Sequence, residues 1–195
     1  DQFKKYSSIP IINGLSPSSH PTQVLSDIFT IQEIKKKNIS KLNLCWIGDA
    51  NNNMMNSLIE ACLKFSVSLN IACPKSYQPN KALISLIKKK KGKIKIFYKK
   101  ELAVKNSDVV ITDKIISMND KVDKKKKLKS FKNFKVDAKT LNLAKKDAIF
   151  MHCLPRGSEV TDEVFLGKQS KVWQQALNRV YVQKSILLYC FDKLR

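Results

Sequence analysis

At 195 residues with 43% hydrophobic residues, the chain is long enough to bury a sizeable core and short enough to suggest one domain or slightly more. No run approaches the roughly 18 apolar residues a membrane span needs, and no basic-then-apolar leader opens the sequence, which starts at Asp1 as a processed or truncated end would. A net charge of +21 would ordinarily point to nucleic acid, yet only three of the 37 basic residues are arginine (Arg156, Arg179 and Arg195), the residue that bidentate recognition of bases and phosphates favours.

In chain order, Pro21 opens an amphipathic helix with Val24, Leu25, Ile28, Phe29 and Ile31 as its expected apolar face. Strand-like runs follow at Leu42–Ile47, Leu69–Cys73, Lys93–Tyr98, Asp108–Thr112 and Ala148–Cys153. Between them lie helical patterns at Asn53–Phe65, Lys81–Lys89, Glu101–Asn106 and Lys121–Phe131, and a long helix at Val172–Phe191 closes the chain. This alternation predicts βαβ crossovers: an α/β fold, Rossmann-like, with a parallel sheet and helices on both faces. The first strand-to-helix turn, Gly48-Asp49-Ala50-Asn51-Asn52, lacks the G-x-G-x-x-G pattern, so a nicotinamide cofactor is not indicated. The lysine runs Lys88–Lys91 and Lys124–Lys127 read as solvated helix faces, and abundant Asn and Ile beside the lysine suggest genomic drift rather than a polyanion surface. Neither a nucleic-acid nor a membrane partner is expected.

The five cysteines (45, 62, 73, 153 and 190) are odd in number, lack CxxC spacing, and four of them fall in apolar patterns as small core residues. That usage predicts a reducing compartment, the cytoplasm or an organelle matrix. With only two histidines, far apart, no metal site is expected.

The segment Met151-His152-Cys153-Leu154-Pro155-Arg156 stands at the end of the last strand-like run, where Pro155 stops the strand. In open α/β sheets the carboxyl ends of the strands are where ligands bind. Alone, the segment is more simply a core cysteine beside a satisfied histidine. The second cluster, Ser19-His20-Pro21-Thr22-Gln23, alone would be a capped helix start with an exposed histidine. There His20 and Gln23 could also share a site with the helix's unpaired amides. In a chain that uses lysine almost everywhere, Arg156 and Arg179 inside motifs suggest places where a planar guanidinium is needed.

Taken together, His20-Pro21-Thr22-Gln23 and His152-Cys153-Leu154-Pro155 resemble the signatures of the aspartate/ornithine carbamoyltransferase family, the latter marking its ornithine branch. Ile12-Asn13-Gly14-Leu15-Ser16, Trp46 to Asn52, Asp113 to Met118 and Gln175-Ala176-Leu177-Asn178-Arg179 follow the same family in order, so the resemblance runs from about Ile9 to the end. It implies transfer of a carbamoyl group from carbamoyl phosphate to the δ-amine of L-ornithine, giving L-citrulline and phosphate without metal or organic cofactor. For the complete protein it implies a homotrimer.

Carried over residue by residue, the resemblance places His20, Pro21, Thr22, Gln23, Cys153, Leu154 and Arg179 around carbamoyl phosphate. It places Asn52, Asp113, Ser117, Met118 and Cys153 around ornithine. His20, Gln23, Asp113, Cys153 and Arg179 form the catalytic set. It divides the chain into the end of a carbamoyl-phosphate domain with a bridging helix (1–34), an ornithine-binding α/β domain (35–171) and a second bridging helix (172–195). The family's Ser-Thr-Arg-Thr-Arg phosphate loop is not in the sequence, so most of the carbamoyl-phosphate domain is expected to be missing and the isolated chain inactive. Leu177 stands where the family has glutamate, Asn119 where it has glycine, and the connection after Pro155 is short. Cys153 as a covalent nucleophile is the lesser reading, because neither a resolving cysteine nor a base is apparent. The rivals are a non-catalytic amino-acid-binding remnant and a carbamoyltransferase for a related amine.

Overall fold

Val109-Val110-Ile111-Thr112 is buried at every position, as a central strand covered on both faces must be. A computed structural model, describing residues 2–116 and 123–191, sets this run in a sheet of parallel strands: β1 (Asn43–Ile47), β2 (Ser68–Ala72), β3 (Ile94–Phe97), β4 (Val109–Thr112) and β5 (Ile149–His152). The helices are α1 (Gln2–Tyr6), α2 (Pro21–Lys35), α3 (Asn53–Lys64), α4 (Lys81–Lys89), α5 (Lys100–Val104), α6 (Lys124–Ser130), α7 (Ala138–Leu141), α8 (Asp162–Phe165) and α9 (Val172–Cys190). The expected fold class is therefore observed, and each strand-like run lands within a residue of its strand.

The strand order is β3-β2-β1-β4-β5. Growth of the sheet reverses between β1 and β4, so the connections leaving those two strands part to opposite faces and open a crevice at their carboxyl ends. Gly48 begins the connection after β1 at φ +146°, where a side chain would be strained and would meet the Thr112 hydroxyl at 3.4 Å.

Alternate side chains of the strands feed two cores. Leu44 and Trp46 of β1 join Ile31 of α2, Met55 and Leu58 of α3 and Leu83 of α4. Cys45 and Ile47 face the other way, toward Ala103 of α5, Phe131, Leu141 of α7 and Phe165 of α8. Each fully buried side chain of this size contributes about 2 kcal/mol of transfer free energy. Helix α9 returns across the molecule to pack along α2 and against β5.

Two expectations need correction. Leu25 and Phe29 of α2 are 41% and 44% exposed, while Gln23, Ser26, Asp27 and Thr30 are buried beside Val24, Ile28 and Ile31. Val24, Ile28 and Ile31 enter the core as expected, while the part of the inner face that meets α9 is polar because α9 presents amides to it. Lys127 is not a solvated lysine either. It is 4% exposed, its Nζ lies 2.6 Å from Asp49 Oδ2, and it stacks over the Tyr77 ring. The helix expected over Lys121–Phe131 begins at Lys124, capped by the Asp123 carboxylate, with residues 121 and 122 outside the described part. Helices α1, α7 and α8, of four or five residues, fall outside the expected helical segments.

Candidate active site

Strands β4 and β5 pair in a register that sets Thr112 opposite His152. The next residue on each strand, Asp113 and Cys153, therefore leaves the sheet at the same edge, beside the β1–β4 crevice. Sequence distance conceals this; the parallel register produces it.

The start of α2 is brought to the same edge by hydrogen bonds from α3. Ser57 Oγ accepts from the His20 amide at 2.8 Å, and the Asn53 and Asn56 amides donate to the carbonyls of Ser16 and Ser18 at 2.9 and 2.8 Å. Pro21 occupies the first turn of the helix, and the Thr22 hydroxyl donates to the Gly14 carbonyl at 2.9 Å, so that side chain secures the preceding loop. His20 Nδ1 and Gln23 Oε1 are left buried without a hydrogen-bond partner in the protein, as is Arg179 Nε on α9. Buried polar atoms nearly always have partners, so these three retain hydrogen-bonding capacity that the protein does not use; Arg156 Nε, Thr161 Oγ1 and Ser170 Oγ do so as well.

The charges of the group act on one another. The His20 pKa is lowered, first by burial and then by the Arg179 guanidinium, against a raising contribution from the Gly14 backbone. At neutral pH the imidazole is accordingly neutral. Burial pushes the Asp113 carboxyl up to about 6, although the Lys114 amide bonds its Oδ1 at 2.7 Å. Burial also raises the Cys153 thiol well above its ordinary value, reinforced by the carboxylates of Asp113 and Asp27 and opposed by Arg179. Cys153 is a protonated, weakly polar contact, which weighs against a thiolate nucleophile.

Behind Cys153 the loop is held rigidly. His152 is 1% exposed; its Nδ1 accepts from the Leu154 amide at 2.9 Å and its Nε2 lies 2.9 Å from Glu159 Oε1. An acceptor Nδ1 places the ring proton on Nε2, facing the carboxylate. Glu159 also accepts from the Gly157 amide at 2.5 Å. Leu154 sits at φ +53° before a cis bond to Pro155. Arg156 turns away to pair with Asp162, donate to the Val160 carbonyl at 3.3 Å and stack on Phe165 at 4.7 Å, so its planar group serves the loop.

Asn52 caps α3, its Oδ1 accepting from the Met55 amide at 2.8 Å. Leu177 lies on the outer side of α9, 49% exposed. Ser117, Met118 and Asn119 lie outside the described residues. Among the described residues no group of three His, Cys, Asp or Glu is placed to hold a metal ion, and no helix is long and apolar enough to cross a membrane.

Two residues without an expected site role join the cluster. Asp27 Oδ1 accepts from Gln23 Nε2 at 2.8 Å and from Gln175 Nε2 at 2.7 Å, and Gln175 Oε1 accepts from the His152 amide at 2.9 Å. The available signal was spacing: Gln23 and Asp27 stand four apart on one helix face, where side chains meet.

Comparison with known proteins identifies the family and the fold. Residues 40–190 match the family description "Aspartate/ornithine carbamoyltransferase, Asp/Orn binding domain", and residues 1–33 match the carbamoyl-P binding domain of the same family. The sequence is 42% identical over 193 residues to an ornithine carbamoyltransferase of Staphylothermus marinus, covering 96% of this chain and 62% of that protein. The fold superposes on the anabolic ornithine carbamoyltransferase of Campylobacter jejuni with a TM-score of 0.90 at 39% identity, covering 98% of this chain and 65% of that one. For the ornithine carbamoyltransferase of Pyrococcus furiosus the TM-score is 0.86 at 38% identity, covering 95% and 60%. The chain thus spans a little over three fifths of the length of these relatives.

Proposed function

The chain belongs to the aspartate/ornithine carbamoyltransferase family, and from that premise we propose that it supplies the ornithine side, and part of the carbamoyl side, of an enzyme making L-citrulline and phosphate from carbamoyl phosphate and L-ornithine. The observation that carries the reading is the clustering of the orphaned buried atoms of His20, Gln23 and Arg179 with Asp113 and Cys153.

In this reading the δ-amine of ornithine attacks the carbonyl carbon of carbamoyl phosphate. The C–N bond forms, negative charge gathers on the carbonyl oxygen, the C–O bond to phosphate breaks, and the amine's proton leaves with the phosphate. His20 and Arg179 donate to the oxygen that gains charge, where fixed donors away from water act most strongly. Gln23 Oε1 and the carbonyls of Cys153 and Leu154 accept from the carbamoyl NH2. Asp113 and the Cys153 thiol meet the amine ends of ornithine, with Asn52, Ser117 and Met118 around its α-groups. An amine of pKa near 10.4 is mostly protonated at neutral pH, so a carboxylate beside it must hold the cation without trapping it. A carboxyl pushed up to about 6, such as Asp113, suits that task.

Residues 1–34 and 172–195, carrying α2 and α9, are assigned as the bridges to a carbamoyl-phosphate domain, and residues 35–171 as the ornithine-binding domain. Phosphate binding is assigned to the family's Ser-Thr-Arg-Thr-Arg loop outside these 195 residues, and trimer formation to that same domain. A cytoplasmic or organelle-matrix setting accompanies the reading. The test is citrulline formation by the full-length native gene product and by the 195-residue chain, with ornithine, acetylornithine and putrescine compared as acceptors. Turnover of ornithine by the former, with none by the latter, is expected; preference for another amine would overturn the assignment.

A second reading, a binding module without catalysis, is favoured by Leu177 at the family's glutamate position. Calorimetric binding of ornithine with no citrulline from the full-length product would select it.

A further inference from the structure

We propose that Asp27 is a positioning residue that fixes the polarity of the Gln23 amide, and through it the preference of the site for an NH2 group over a methyl on the acyl phosphate. The proposal deepens the reading above and rests on it. Asp27 Oδ1 takes hydrogen bonds from Gln23 Nε2 at 2.8 Å and Gln175 Nε2 at 2.7 Å, and the residue is 1% exposed. A carboxylate oxygen can only accept, so it compels each amide to turn its nitrogen inward. For Gln175 this leaves Oε1 to accept from the His152 amide at 2.9 Å, which ties α9 to the strand that delivers Cys153. For Gln23 it leaves Oε1 buried and without a partner, facing away from Asp27.

Without that constraint the amide could rotate by half a turn and present its NH2 instead. The shape would be nearly unchanged but the hydrogen-bond sense would be reversed: a donor would then face the donor NH2 of the carbamoyl group. Asp27 thus acts through Gln23 and Gln175 on a group it need not touch. The three side chains come from α2 and α9, so the constraint also makes the polarity of the site depend on how those helices meet.

The test uses two stable phosphonates of the same shape, phosphonoacetamide and acetonylphosphonate, which differ by NH2 against CH3. Their affinities are measured by inhibition of the full-length native protein and of its Asp27→Ala and Asp27→Asn variants. Wild type should prefer the amide. In Asp27→Ala that preference should fall about tenfold, the value of one hydrogen bond in a buried site, while the methyl analogue binds much as before. Asp27→Asn retains a carbonyl oxygen that can accept from both amides and should keep the preference within about threefold. Parallel loss of both analogues in Asp27→Ala would make Asp27 merely structural and overturn the proposal. So would loss of the preference in Asp27→Asn, which decides the matter if the alanine variant does not fold. Failure of wild type to bind either analogue would instead refute the functional reading itself.

Discussion

The ammonium of Lys127 lies 2.6 Å from the carboxylate of Asp49, and both side chains are at most 7% exposed. The pair joins α6, which follows the segment bearing Asp113, Ser117 and Met118, to the turn after β1 that ends in Asn52. Removing one partner of a buried ion pair leaves the other charged, dry and uncompensated. Lys127→Met should therefore destabilise the fold by about 3 kcal/mol, read from urea unfolding at neutral pH. Adding Asp49→Asn to it should cost less than the sum of the two single changes, because the stranded charge is then removed. Strict additivity would show that the pair contributes nothing as a pair.

Much of the architecture was legible because it is written in hydrocarbon. Runs such as Val109-Val110-Ile111 and Ile149-Phe150-Met151 are too apolar to be anything but buried, and their alternation with helical patterns dictates a parallel sheet. Asp113 and Cys153 were legible as edge residues for the same reason. What the sequence concealed is polar. Leu25 and Phe29 suggested a hydrocarbon inner face for α2, where the protein buries Gln23, Ser26, Asp27 and Thr30. No periodicity distinguishes a buried amide from a solvated one until its partner on α9, itself far along the chain, is in place. Lys127 was hidden by composition, since one buried lysine in a run of lysines leaves no trace.

Cysteine chemistry offers a direct check on burial. Cys45, Cys62, Cys73 and Cys153 are buried and Cys190 is partly accessible. Burial raises the Cys45 thiol, and pushes those of Cys62 and Cys73 up to about 12 and Cys153 well above its ordinary value. Of these five cysteines, Cys190 should react rapidly with a disulfide reagent in the folded protein at pH 8, and the other four only on unfolding. Fast modification of Cys153 would contradict its protonated state.

The pH dependence of stability should carry the mark of Asp27. Burial pushes its carboxyl up to about 6 from the ordinary aspartate value of 3.8, against the amides of Gln175 and Gln23 and the charge of Arg179, with Asp113 adding to the rise. The folded state then holds the proton more tightly than the unfolded one. The favourable contribution is complete below the unfolded value and is lost as pH rises through about 6, amounting to at most about 3 kcal/mol. Asp113 works in the same direction. Glu159 works oppositely. Although burial raises its pKa, bonds from His152 and the Gly157 amide hold it below the usual value, so its stabilisation is lost as pH falls. Asp27→Asn should therefore gain on wild type between pH 4 and pH 7 in denaturant titrations, and a pH-independent difference would refute this ordering.

Cys153→Ala in the full-length protein should raise the KM for ornithine on the order of tenfold, as loss of a buried polar contact does, while lowering stability by only ~1 kcal/mol for the small void left. Unchanged ornithine kinetics would remove Cys153 from the site.

The contact between α2 and α9 joins Asp27 to Gln175 at 2.7 Å, Thr30 to Asn178 at 3.0 Å, and Glu33 to Asn178 and Gln174 at 2.9 and 3.3 Å. Hydrocarbon faces tolerate sliding, since one methyl serves as well as the next. A row of directional bonds does not: a shift of a single residue would strand every group in it. The two helices therefore fit as a key fits its lock, with one admissible register, and whatever tilts one of them must carry the other.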